Sequence, residues 1–207
     1  MSTIEQWVAT WRALGVEESP GLRRVHDDVL ARYAEPNRHY HTVQHLTECF
    51  ARLSEIRELA EHPGEVELAL WFHDAIYDVR RSDNEDKSAA WARDAAVTAG
   101  VASEIAQRVH ALVMFTRHAA VPTGVDAKVL VDVDLSILGA DDARFDEYEL
   151  QVRKEYEWVP GFLFRRNRKK VLREFLARPR IFSTTPFMKR YEQQARSNIR
   201  RSLEKLA

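Results

Sequence analysis

The stretch Leu70-Trp71-Phe72-His73-Asp74-Ala75-Ile76-Tyr77-Asp78 begins apolar and ends with a histidine and two aspartates. Ionisable groups inside an apolar segment are costly unless they are paired or bound to a metal ion. His73-Asp74 is therefore the first candidate for chemistry. A second His-Asp pair, His26-Asp27, sits among the polar residues of Arg24-Val25-His26-Asp27-Asp28 and reads as a solvated helix face. The dipeptide alone decides nothing; its setting and its partners do.

Outward from this stretch the pattern is helical. On the N-terminal side, Thr3-x-x-Gln6 forms a capping box before Trp7, Trp11 and Leu14. Ser19-Pro20 opens a helix to about Ala34, and Thr42 caps another that carries Leu46, Phe50, Leu53 and Ile56. A helix from about Glu65 is expected to run through the opening stretch, until Arg80 to Asp83 interrupt it. Further helices are expected from Asn84 to Gly100, from a Ser103 cap through Thr116, and over about 141–158, 161–177 and 186–205. Segment 128–138 alternates Val129, Val131 and Val133 like a strand. No second strand is there to pair with it, so helix is the better reading. The expected architecture is all-α.

Length and composition allow one domain over 1–207 with a substantial core. No apolar run approaches the ~18 residues of a membrane span, and Met1-Ser2-Thr3-Ile4-Glu5-Gln6 does not read as a secretory signal. A cytoplasmic location is the expectation. The single cysteine, Cys49, rules out an internal disulfide and a Cys-based zinc cage. The net charge of -1 hides a split. Residues 153–207, a basic C-terminal extension, carry 16 Lys/Arg and 5 Asp/Glu; residues 1–152 carry 15 and 27. Such a basic part either packs against the acidic body or presents cations to an anionic ligand.

Three stretches offer partners for His73-Asp74. In Arg38-His39-Tyr40-His41-Thr42-Val43-Gln44-His45, His41 and His45 are four apart at a helix start and lie near one face. Asp132-Val133-Asp134-Leu135-Ser136 places acids within an apolar run, and Asn84-Glu85-Asp86-Lys87-Ser88 adds another polar set. Two imidazoles with two carboxylates form a mixed nitrogen–oxygen set. It suits Mn, Fe, Co, Ni or Zn and tolerates Mg. With a position left open, such an ion binds water, lowers its pKa and orients it for attack.

In this order the residues resemble the HD-domain superfamily of metal-dependent phosphohydrolases: a His, then His-Asp, then a distant Asp, on a helical core. The match falls on His45, His73-Asp74 and Asp134. Tyr40-His41 through His45, and Val133-Asp134-Leu135-Ser136, are similar to segments of cyclic-nucleotide phosphodiesterases, which favours Asp134 over Asp132. His73-Asp74-Ala75-Ile76-Tyr77-Asp78 is similar to the His-Asp-x-x-Glu-Asp run of alarmone hydrolases, with Tyr77 replacing one acid. A further resemblance, to bacterial proteins described as predicted HD phosphohydrolases, extends through Gly139 to Glu192-x-x-Ala195-Arg196-x-Asn198.

The resemblance implies an HD-type helical bundle with its C-terminal helices packed on a 1–152 metal-site core. It implies that His45, His73, Asp74 and Asp134 hold a divalent metal, that Asp78 steers water and that His41 donates a proton. Arg38, Glu85, His118 and Arg168 are the candidate substrate contacts; Glu85 with His118 would otherwise form a second metal site. The expected substrate is a small phosphorylated molecule, a nucleotide by preference. Alternatives are a two-iron oxygenase and a nucleotide- or nucleic-acid-binding module without turnover. No recognition-helix or zinc-finger pattern favours nucleic acid. Homo-oligomerisation is left open.

Overall fold

A computed structural model describes residues 4–207. Thr3, the cap of the first predicted box, lies outside the described residues. Among these, ten α-helices and no strand are present: α1 (Ile4–Ala13), α2 (Pro20–Tyr33), α3 (Val43–Ile56), α4 (Pro63–Phe72), α5 (Asn84–Thr98), α6 (Ser103–Met114), α7 (Val125–Leu135), α8 (Asp142–Glu155), α9 (Gly161–Ala177) and α10 (Thr185–Lys205). They pack into one all-α domain. None of the helices is long and apolar enough to cross a membrane.

The core is organised around α4. Every residue from Gly64 to Phe72 is buried, and α1, α3, α5, α6 and α7 pack around it. A helix buried on all sides must be surrounded; Glu65 and Glu67 near its start pair with Arg108 and Arg57, and its C-terminal end emerges toward a second polar region. There the chain departs from expectation: the helix stops at Phe72 instead of continuing through Asp78. Side chains of other elements capture the backbone groups that a continued helix would use. The Tyr33 hydroxyl accepts from Asp74 N (3.2 Å), Ser88 Oγ accepts from Ile76 N (3.0 Å), and Arg38 donates to the Asp74 and Ala75 carbonyls.

Helix α7 has the same all-round burial, with Ala127 and Val129 to Val133 buried. Its valines alternate because both faces are covered, so the strand-like pattern carries no strand. Asp132 and Asp134 are two residues apart, about 200° around the helix, and point to different partners. Asp132 accepts from Ser183 N (2.7 Å) and Thr184 N (2.6 Å), which anchors the entry to α10.

The C-terminal motif noted in the sequence is a tertiary fastener. Glu192 accepts from the Ile181 and Phe182 amides. Arg196 pairs with Glu192 and donates to the Leu176, Arg178 and Pro179 carbonyls. Asn198 donates to the Leu138 and Ala140 carbonyls at 2.9 and 2.8 Å, tying α10 to the corner between α7 and α8. At that corner a Cβ on Gly139 would lie 2.6 Å from Tyr191 Cβ and 2.9 Å from its carbonyl oxygen. Neither neighbour can rotate away. Gly139→Ala is expected to destabilise by about 1–3 kcal/mol, the usual cost of overpacking. A chemical-denaturation midpoint indistinguishable from that of the unsubstituted protein would show that α10 does not press on this turn.

Part of the basic C-terminal charge is paired with the acidic body. Arg190 meets Glu55, Arg201 meets Asp142 and Asp146, and Lys205 meets Asp146. Two local readings are corrected. Ser103 does not cap α6; Ala102 stands at that position without a side-chain bond. His26 is buried, not solvated. Its ring lies 5.6 Å from Trp7 and 5.9 Å from Trp71, because position 26 shares a stripe with Leu22, Val29 and Tyr33.

Candidate metal centre

Three elements deliver donor atoms to one point. His45 lies in the first turn of α3, which Thr42 Oγ1 caps by accepting from Gln44 N. His73 and Asp74 stand at the exit of α4, and Asp134 stands near the end of α7. His45 Nε2 and His73 Nε2 are 3.0 Å apart. Asp74 Oδ2 lies 3.1 Å from His73 Nε2 and 3.5 Å from His45 Nε2. Asp134 Oδ1 lies 3.3 and 3.7 Å from His45 and His73 Nε2. Metal–ligand bonds of about 2.1 Å separate neighbouring ligands by about 3.0 Å at right angles and about 3.4 Å at tetrahedral angles. Three of the five spacings, 3.0, 3.1 and 3.3 Å, fall in that range, and the other two, 3.5 and 3.7 Å, lie just above it.

Cys49, one turn after His45, belongs to the same convergence. His45, Cys49, His73 and Asp134 each offer a donor atom within 4.8 Å of the others, a group able to hold a metal ion. Cys49 Sγ is 3.7 Å from both ring nitrogens of His45. Reading the lone cysteine only for disulfides and zinc cages missed it; its i+4 spacing from His45 was the available signal.

One of the two imidazoles, that of His73, is oriented for ligation by its other nitrogen. The Leu70 carbonyl accepts from His73 Nδ1 at 2.7 Å, which fixes that proton and turns Nε2 toward the carboxylates. Burial works against charge throughout the cluster, yet attraction outweighs it. Despite burial, His73, His41 and His45 hold the Asp74 carboxyl well below the usual range. Against burial, His118, His45 and His73 do the same for Asp134. Burial would lower the histidines, but Cys49, Tyr40 and the two aspartates raise His45, and Asp74 and Asp134 raise His73. Imidazoles and carboxylates thus attract one another across the cluster, and a bound cation would offset the charge of the two buried carboxylates in the same place.

Beside the cluster stands His41, whose ring lies 5.9 Å from that of His45 and stacks on Tyr77 at 4.0 Å. Glu155, at the C-terminal end of α8, organises this side. Its Oε1 accepts from the amides of His39, Tyr40 and His41 at 2.8–3.0 Å. Its Oε2 accepts from His41 Nδ1 (2.8 Å) and the Tyr77 hydroxyl (3.0 Å). The sequence pattern gave no hint of Glu155, which lies 114 residues from His41.

His118 joins from the loop after α6. It adopts a left-handed backbone (φ 53°) that histidine tolerates better than most residues. Its Nε2 is 3.0 Å from Asp134 Oδ2. Glu85 faces Arg117 instead (3.8 Å). Asp78 Oδ1 accepts from Arg80 N, while Asn84 brackets its backbone. No contact joins either carboxylate to the cluster.

Two of the candidate substrate contacts, Arg38 and Arg168, are corrected. The Arg38 side chain is fully buried. It donates to the His41, Asp74 and Ala75 carbonyls and to Glu35, and so it clamps the loop before α3 onto the turn after α4. Arg168 is paired with Glu149 and lies over the Tyr148 ring at 5.0 Å. Burial lowers its tendency to hold a proton, but Tyr148 and Glu149 raise it further. Neither guanidinium is free for a ligand. A groove of about 410 Å³ among α8, α9 and α10 has no cluster residue in its lining. Comparison with protein-family models, curated proteins and solved structures finds no match for this chain.

Proposed function

We propose that this protein is a metal-dependent phosphohydrolase of HD type, cleaving a phosphate ester or anhydride of a small molecule, a nucleotide by preference. One observation carries the reading: two imidazoles and two carboxylates, from three separate elements, converge at ligand spacing beside an oriented third imidazole. His45, His73, Asp74 and Asp134 would hold a divalent ion. When bound, such an ion supplies Lewis acidity, lowering the pKa of a water and offsetting charge on a phosphoryl group.

The chain's own residues supply the rest. Glu155 accepts from His41 Nδ1 and orients the ring, leaving Nε2 as the atom that would pass a proton to a leaving oxygen. Arg38 and Tyr33 hold the His73-Asp74 turn in place. His118 hydrogen-bonds the Asp134 oxygen that faces away from His45. With Glu85 facing Arg117, a full second set of histidine ligands is missing among the described residues, which weighs against the two-iron oxygenase.

The test is hydrolysis of a panel of nucleotides and phosphodiesters, including bis(p-nitrophenyl) phosphate, by metal-stripped protein with Mn, Co, Ni, Mg or Zn. The expected result is turnover that depends on added metal, is lost with chelator and returns when metal is restored. Metal bound at this cluster with no hydrolysis of any member, or oxygen uptake by an iron-loaded form, would overturn the assignment.

A further inference from the structure

Two overlapping donor sets share one point. His45, His73 and Asp134 are common to both; Asp74 completes one, and Cys49 completes the other. The Cys49 side is not a sealed apolar wall. A cavity of about 90 Å³ is lined by Cys49 together with His45, Asp134, Glu48, Arg52 and Arg144, so the thiol borders polar space shared with two other donors. Zinc–sulfur bonds of about 2.3 Å and zinc–nitrogen bonds of about 2.05 Å at a tetrahedral angle place sulfur about 3.6 Å from nitrogen. Cys49 Sγ lies 3.7 Å from His45 Nε2.

We propose that Cys49 is an alternate donor recruited by thiophilic divalent ions such as Cd²⁺ and Zn²⁺. The Sγ–H bond breaks, its proton leaves to solvent, and a sulfur–metal bond forms. Oxygen-preferring ions such as Mn²⁺ and Mg²⁺ leave the thiol protonated and use Asp74. The resulting His45-Cys49-His73-Asp134 set supplies the four nitrogen, sulfur and oxygen ligands that tetrahedral zinc takes. This inference rests on His45, His73 and Asp134 being metal ligands.

The experiment titrates metal-stripped protein with Co²⁺ and Cd²⁺, reading the near-ultraviolet sulfur-to-metal charge-transfer band, with bound metal measured by equilibrium dialysis. Because Cys49 is the only cysteine, any such band reports on it. The expected result is a band that rises with metal bound and is absent from Cys49→Ser. That variant should bind Cd²⁺ at least about tenfold more weakly, with Mn²⁺ affinity changed by less than about threefold. Metal bound at this cluster without a band would overturn the role of Cys49 alone. No metal bound by the unsubstituted protein would overturn the metal centre itself.

Discussion

Asp74→Ala is expected to bind Mn²⁺ at least about 100-fold more weakly and to lose measurable phosphodiester turnover, while its far-ultraviolet circular dichroism stays unchanged. The magnitude follows from position: loss of even an outer partner of a metal ligand typically costs about 10–100-fold in affinity or activity, and Asp74 Oδ2 lies within 3.5 Å of both imidazoles. The fold should tolerate the change. The contacts that hold the turn run through the Asp74 backbone, from the Tyr33 hydroxyl and from Arg38, and alanine keeps them. Retention of full Mn²⁺ affinity and turnover by Asp74→Ala would remove this carboxylate from the centre.

Glu155→Gln is expected to separate substrates by their leaving groups. The amide can still accept the three loop N–H bonds, but it puts an NH2 group where Oε2 accepts from His41 Nδ1 and so loses the hold on that ring. Loss of general-acid assistance costs about 10²-fold or more. That loss should appear with nucleotide esters, whose alkoxide leaving groups need a proton, and be small with bis(p-nitrophenyl) phosphate, whose leaving group departs as the anion. Mn²⁺ binding should be almost unaffected. An equal loss on both substrates would mean that Glu155 serves only the fold. The same carboxylate links stability to acid. Burial pushes it up, but His41 and the loop amides outweigh burial and bring it from 4.5 to about 2. Its folded pKa is depressed, so its stabilisation is complete above about pH 5 and fades as pH falls toward 2. Urea midpoints of the parent and Glu155→Gln should therefore converge across that window.

The helices were legible because apolar spacing, caps and proline positions agree locally. Thr42, Ser19-Pro20 and the Asn84 start all act where the sequence puts them. His45, His73, Asp74 and Asp134 could be named together only through their resemblance to a known pattern; periodicity alone left Asp132 and Asp134 equal. Their separation comes from the 200° between them on α7 and from which backbone each meets. Arg38 and Arg168 were misjudged because a cation near a site looks like a phosphate ligand in one dimension. In three dimensions, carbonyls after α4 claim the first and Glu149 the second. His26 was misjudged from its polar neighbours, although its spacing to Leu22, Val29 and Tyr33 already placed it on the buried stripe. Glu155 was beyond reach, since nothing local marks a carboxylate whose partners, His39 to His41, are over a hundred residues away.

The most direct measurement is a crystal structure of Mn²⁺-loaded protein with anomalous data collected for the metal. One strong peak is expected about 2.0–2.3 Å from each of His45 Nε2, His73 Nε2, Asp74 Oδ2 and Asp134 Oδ1. A loaded crystal with no peak among these four side chains, or with its peak elsewhere, would contradict this assignment.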